Sequence, residues 1–188
     1  YRQLQDAAAE EAMAAGEDPR APAEARFALA RFLVGSGLGY EAIGVLNSIV
    51  AQAPNMAGEP ELRGLRGAAR AAIGRMEEAQ GDFASAAVAG DPASAVWRGY
   101  IASTQGDWAA ARQAFAAGAV AVDAFPAAWR ARFGAAHAMA ALETGDLDAA
   151  RALLEYSFSQ PAPAADQLTA RLVQARLFEL DGQSDRAL

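Results

Sequence analysis

An all-α chain of antiparallel helix hairpins, wound as a right-handed superhelical α-solenoid, is the fold class this sequence predicts. Three observations predict it. Roughly a quarter of the 188 residues are Ala, the best helix former. Gly, then Ala five residues on, then an apolar residue four later recurs at Gly37/Ala42/Leu46, Gly74/Ala79/Phe83, Gly106/Ala111/Phe115 and Gly145/Ala150/Leu154, and Gly182/Ala187 starts a fifth copy. No segment alternates apolar and polar residues for long, so no strand is expected.

The stretch 92–118, PASAVWRGYIASTQGDWAAARQAFAAG, shows what each copy encodes. A run rich in apolar residues stops at Gly106, which suits a left-handed helix end. Asp107 can then cap the next helix by accepting a backbone N–H bond. The second run places Ala111, Phe115 and Gly118 on one face. The small residues Ala7, Ala42, Ala79, Ala111, Ala150 and Ala187 are 35, 37, 32, 39 and 37 residues apart. That spacing centres near the 34-residue tetratricopeptide period.

Each element follows from local signals. Residues 1–15 read as a helix closed by Gly16, with Asp18-Pro19 starting a turn and Pro22 suited to the first turn of the next helix. Residues 24–34 carry Phe27, Leu29, Phe32 and Leu33; the Gly-rich segment 35–39 breaks them, and 40–53 returns with Ile43, Leu46, Ile49 and Val50 inward. Pro60 opens a helix that ends at Gly74, and 76–89 returns with Ala79, Phe83 and Ala86. Residues 92–105 and 108–120 repeat the form, as do 126–144 and the helix that follows Gly145. After Pro161-Ala162-Pro163, a last full helix presents Leu168, Leu172, Ala175 and Phe178, and Gly182 begins its partner. The organisation expected is one solenoid over 1–188, with repeats at 1–19 (partial), 22–55, 60–91, 92–125, 126–161 and 163–188 (partial). The first residue, Tyr1, and the last, Leu188 in a starting helix, suggest a piece of a longer protein.

These motifs resemble the tetratricopeptide repeat family over nearly the whole chain. The corners Gly106-Asp107-Trp108 and Gly145-Asp146-Leu147, Pro54 at a repeat end, and Gly67 and Gly99 at the small first-helix position carry the likeness. Arg66 and Arg98 stand where Leu is usual in that family. The phrases EAIGVL, PELRGLRGAA, WRGYIASTQGDW and TGDLDAARALL are also similar to large exported alphaproteobacterial repeat proteins. That second resemblance implies a periplasmic location, with a cytoplasmic one as the alternative.

Composition narrows the function classes. The net charge is −7 and every one of the 16 basic residues is Arg, an acidic balance that argues against a nucleic-acid binder. No Cys is present, which excludes thiolate metal sites and Cys nucleophiles. No apolar run is long enough to span a bilayer. His137 is the single His and lacks partners at metal-ligand spacing. Asp146, Asp148 and Glu155 lack the spacing of a calcium loop; the first two suit the start of a helix instead. The segment 35–39 lacks the preceding strand and the Lys-Ser/Thr that a phosphate loop needs. No catalytic residue, cofactor or metal is therefore expected.

Charge is segregated along the chain. The first helices of the hairpins (22–36, 60–73, 92–105, 126–144 and 163–181) carry a balance of +4, and the remainder −11. The resemblance implies that first helices line a concave face, so Phe27, Arg31, Arg63, Tyr100, Met139 and Arg176 are the candidate partner-binding residues. The competing reading is that these Arg side chains bridge to acids on neighbouring helices. The function expected is a non-enzymatic scaffold that binds a peptide or partner protein, one with acidic or carboxylate-bearing segments, within a larger cell-envelope protein or assembly. The alternative is a regulatory or targeting module of an enzyme whose catalytic part lies elsewhere.

Overall fold

The computed structural model describes residues 1–17 and 23–182. The expected turn at Asp18-Pro19, Pro22 and the last Ala of the series, Ala187, lie outside the described residues. Among those described, every regular element is helical, and there is no strand. The chain divides into two compact units, 1–90 and 91–188.

Four of the corners share one backbone solution. Gly37, Gly74, Gly106 and Gly145 have φ of 76°, 82°, 78° and 80°. The N–H one residue past each Gly donates back five residues, from Leu38 to Leu33 O, Arg75 to Arg70 O, Asp107 to Ala102 O and Asp146 to Ala141 O, at 2.8–2.9 Å. This is the bonding of a Schellman cap, which uses the left-handed residue to satisfy the last carbonyls of a helix. Gly182, at φ 72°, has entered the same conformation. Five residues beyond the four complete corners, Ala42, Ala79, Ala111 and Ala150 are all 0% exposed. A methyl at that point lets the returning helix lie close on its partner.

The first unit contains α1 (Arg2–Glu17), α2 (Glu24–Gly35), α3 (Gly39–Gln52), α4 (Pro60–Ala72) and α5 (Met76–Phe83). Its core is Phe27, Ala30, Leu46, Ile49 and Leu62, wrapped by Val45, Val50, Met56 and Leu65. Glu11 of α1 ties the helices together electrostatically. Its carboxylate accepts the Ala25 N–H at 2.7 Å and the Arg26 N–H at 3.2 Å, so it satisfies orphan donors at the start of α2. It also accepts Arg26 Nε at 2.8 Å, while Arg26 Nη1 reaches Gln52 Oε1 of α3 at 2.5 Å.

The second unit contains α6 (Pro92–Thr104), α7 (Trp108–Gly118), α8 (Ala127–Glu143), α9 (Leu147–Ser159) and α10 (Leu168–Leu180). Asp91, Asp107 and Asp146 cap α6, α7 and α9, accepting the N–H of Ser94, Ala110 and Ala149 at 2.8, 3.1 and 3.1 Å. An aromatic cluster joins α6 to α8, with Trp97 centred 4.6 Å from Trp129 and 5.0 Å from Phe133. Ala138, Ala141, Leu142, Ala150, Leu154, Ala170, Val173 and Leu177 form the core of α8, α9 and α10. Polar links step across one repeat: Arg112 to Asp146 and Arg151 to Asp181, both 2.8 Å. In each, an Arg six residues past a corner Gly meets the acid at the next corner.

Several element ends differ from expectation. Helix α1 runs through Gly16 to Glu17, since an interior Gly costs a helix only about 1 kcal/mol. The helix expected over 76–89 stops at Phe83, because Ser85 is extended and its hydroxyl accepts the Ala87 N–H ahead of a short 3-10 turn, Ala86–Val88. The helix expected to 120 ends at Gly118 and tightens into the 3-10 segment Ala119–Ala124. The last described helix also turns a different face inward. Ala170, Val173 and Leu177 are buried, while Leu168 and Leu172 are 61% and 64% exposed. The buried set is smaller in volume but spaced i, i+3, i+7, which gives one stripe against α8 and α9.

Candidate functional site

The first-helix arginines are largely engaged with acids. Arg26 pairs with Glu11, Arg31 with Glu24 and Glu61, Arg132 with Asp166, and Arg176 with Glu179. Arg63, Arg66 and Arg70, spaced i, i+3, i+7 on α4, converge on one carboxylate of α5, Asp82. Asp82 is 0% exposed. Its Oδ1 accepts Arg66 Nη2 at 2.7 Å and Arg63 Nη1 at 3.2 Å, and its Oδ2 accepts Arg70 Nη1 at 2.6 Å and Arg66 Nε at 3.1 Å. A carboxylate has about four lone-pair sites, so this one is saturated. Sequence reasoning placed Asp82 within a plain returning helix and missed its role. The i, i+3, i+7 arginines of α4 were the signal that an acid had to face them.

The six predicted partner-binding residues fall into different settings. Phe27 is a core residue at 5% exposure, and its apolar surface is spent within the first unit. Arg31 is half-exposed between Glu24 and Glu61, and Arg63 belongs to the Asp82 network. Tyr100 is half-buried, edge-on to Trp97 and Trp129 at 6.0 Å. Burial raises its phenol pKa, opposed by the nearby Arg132. Met139 packs partly buried against the α8–α10 core. Arg176 projects from α10 with its side chain 60% exposed and Glu179 beside it, which raises its pKa.

The second unit offers a concavity that sequence reasoning did not single out. A cleft of about 290 Å³ opens between α7, α8 and α9, walled by Phe115, Val122, Phe133, His137, Leu153 and Tyr156. Phe115 and His137 stack with centroids 4.8 Å apart and planes 21° from parallel. Burial pushes the His137 imidazole down to about 4, with a smaller contribution from Arg112. It is therefore neutral at physiological pH, an apolar wall with one hydrogen-bonding edge. At the rim, Tyr156 Oη donates to Asp123 Oδ1 at 3.2 Å. Burial, then the bond to Asp123, raises the Tyr156 pKa. A wider cleft of about 540 Å³ lies between α9 and α10, with Leu154, Phe158, Leu177 and Phe178 along it and Arg151 and Asp181 at its edge.

Such arrangements can hold an apolar side chain and orient it through a few polar atoms. Among the described residues, no group of three or more His, Asp or Glu is placed to hold a metal ion, and no helix is long and apolar enough to cross a membrane. Comparison with protein-family models, with curated proteins and with solved structures finds no match to this chain.

Proposed function

We propose that this chain is a non-enzymatic protein–protein interaction scaffold of the tetratricopeptide type. Its hairpins would wind as a right-handed solenoid and hold a peptide or partner protein, within a larger cell-envelope protein or assembly in the periplasm. The repeat reading is supported by left-handed glycines at a near-regular period, four of them followed at +5 by a fully buried Ala. The periplasmic reading rests on the resemblance of the repeat phrases to exported repeat proteins.

One observation carries the binding reading: the aromatic-walled cleft between α7, α8 and α9. Its volume of about 290 Å³ lies at the foot of the range for ligand pockets, roughly 300–1,000 Å³. It suits an anchoring side chain better than a cofactor. Buried aromatic anchors typically dominate the energy of such interfaces. Ala116 lines this cleft and is exposed, so Ala116→Trp fills it without disturbing the core. Peptides selected from a random display library on the wild-type chain should bind this variant at least about tenfold more weakly, the loss of one anchor contact. Undiminished binding of every selected peptide to Ala116→Trp overturns the cleft as the docking site.

A further inference from the structure

The Asp82 network has more cation than its carboxylates can use. Arg63, Arg66, Arg70 and Arg75 stand around Asp82 and Glu78, the two acids they contact, which leaves two positive charges unmatched. The one acid on α4 itself, Glu61, is taken by Arg31 of α2. Donors are in excess as well. The three guanidiniums on Asp82 carry roughly fifteen N–H groups, five each, against about four lone-pair sites on that carboxylate. Arg63 Nε and Arg70 Nε are buried with no hydrogen-bond partner, although buried donors are nearly always paired. The side chains keep partial exposure, 29% for Arg63, 21% for Arg70 and 12% for Arg66.

We propose that this arginine cluster on α4 is a binding site for a phosphate-type dianion, with Asp82 holding the guanidiniums in place. Asp82 is saturated, so it cannot take up the surplus donors. Two unmatched charges call for a dianion rather than a monoanion. Guanidinium forks pair with phosphate oxygens through two parallel bonds, and an array locked by a buried carboxylate loses little side-chain freedom on binding. The chain's net charge of −7 does not oppose this, because the local field of the cluster sets the attraction. The anion has two sources, free phosphate or a phosphate monoester carried by a partner.

The Arg Nε–H resonances of the full chain report directly. Inorganic phosphate at pH 7.5 is titrated against sodium chloride of matched ionic strength, with O-phosphoserine as a second probe. Saturable shifts confined to Arg63, Arg66 and Arg70, absent with chloride, are expected. Arg63→Gln should weaken the response about tenfold, as loss of one charge-assisted contact does, and Arg151→Gln in the other unit should leave it unchanged. Arg63→Lys serves as a milder variant if Arg63→Gln fails to fold, and it should also weaken the response because it loses the fork. Saturation by both probes identifies a monoester-competent site, and saturation by phosphate alone a free-anion site. Shifts that never saturate, or that chloride reproduces, overturn the proposal.

Discussion

Phe115 of α7 stands against the bare backbone of Gly99 in α6: a Cβ built on Gly99 would lie 2.8 Å from the Phe115 ring. Phe83 of α5 stands in the same relation to Gly67 of α4, at 2.7 Å. The hairpins thus close by setting a ring where a side chain has been removed. Phe115 is 2% exposed and Phe83 3%.

Phe115→Ala should lower stability by about 3–5 kcal/mol, as a large-to-small core change. Gly99→Ala should cost about 1–3 kcal/mol from overpacking, less the roughly 1 kcal/mol that Ala gains in a helix. Because both changes act on one contact, the double variant should be more stable than the sum implies. Urea denaturation of the four proteins gives the coupling energy, and strict additivity would mean that ring and glycine do not meet.

Asp82→Asn should destabilise by about 3–5 kcal/mol, since it leaves three guanidiniums without their buried counter-charge. Chemical denaturation measures it. A change below about 1 kcal/mol, the worth of a surface pair, would show that water already screens the site.

His137 should make the second unit acid-sensitive. Its folded pKa, about 4, lies below the unfolded value near 6.5, so between these the unfolded chain binds the extra proton. Its contribution is complete above about pH 6.5 and is lost as the pH falls toward 4. His137→Phe, which keeps the stack on Phe115, should flatten the stability profile in that window. A parallel profile for the variant would rule out the buried neutral imidazole.

Gly106→Ala should cost about 1–2 kcal/mol because a Cβ is disfavoured at positive φ. Thermal unfolding should show a lower Tm without loss of helical signal at low temperature. An unchanged Tm would mean that the corner relaxes freely.

The corner rule was legible because it is local. The left-handed Gly, the capping Asp and the buried Ala all lie within about two turns of each other, so backbone sterics and helix period determine them. The arginines were harder to read. Charge segregation showed that they cluster on first helices, yet several of their acids lie on other elements, as Glu61 does for Arg31 and Asp166 for Arg132. Apolar faces misled where a helix offers two stripes. In α10 the larger stripe, Leu168 and Leu172, faces out, and the smaller residues pack. Phe27 similarly reads as an anchor by residue type, but its position on α2 points it at Leu46 and Ile49. The clefts have no sequence signature, because they arise where packed helices leave space between them.

The one-repeat reach of the links, from Arg112 to Asp146 and from Arg151 to Asp181, has a kinetic meaning. Partners only some thirty residues apart in sequence meet without large loop-closure entropy, as in other helical chains of low contact order. Synthesis proceeds at about 5–20 residues per second, so a hairpin waits only a few seconds for the next one to leave the ribosome and close against it. Within the second unit the hairpins can therefore pack in the order in which they are translated, each newly made one finding its predecessor already in place.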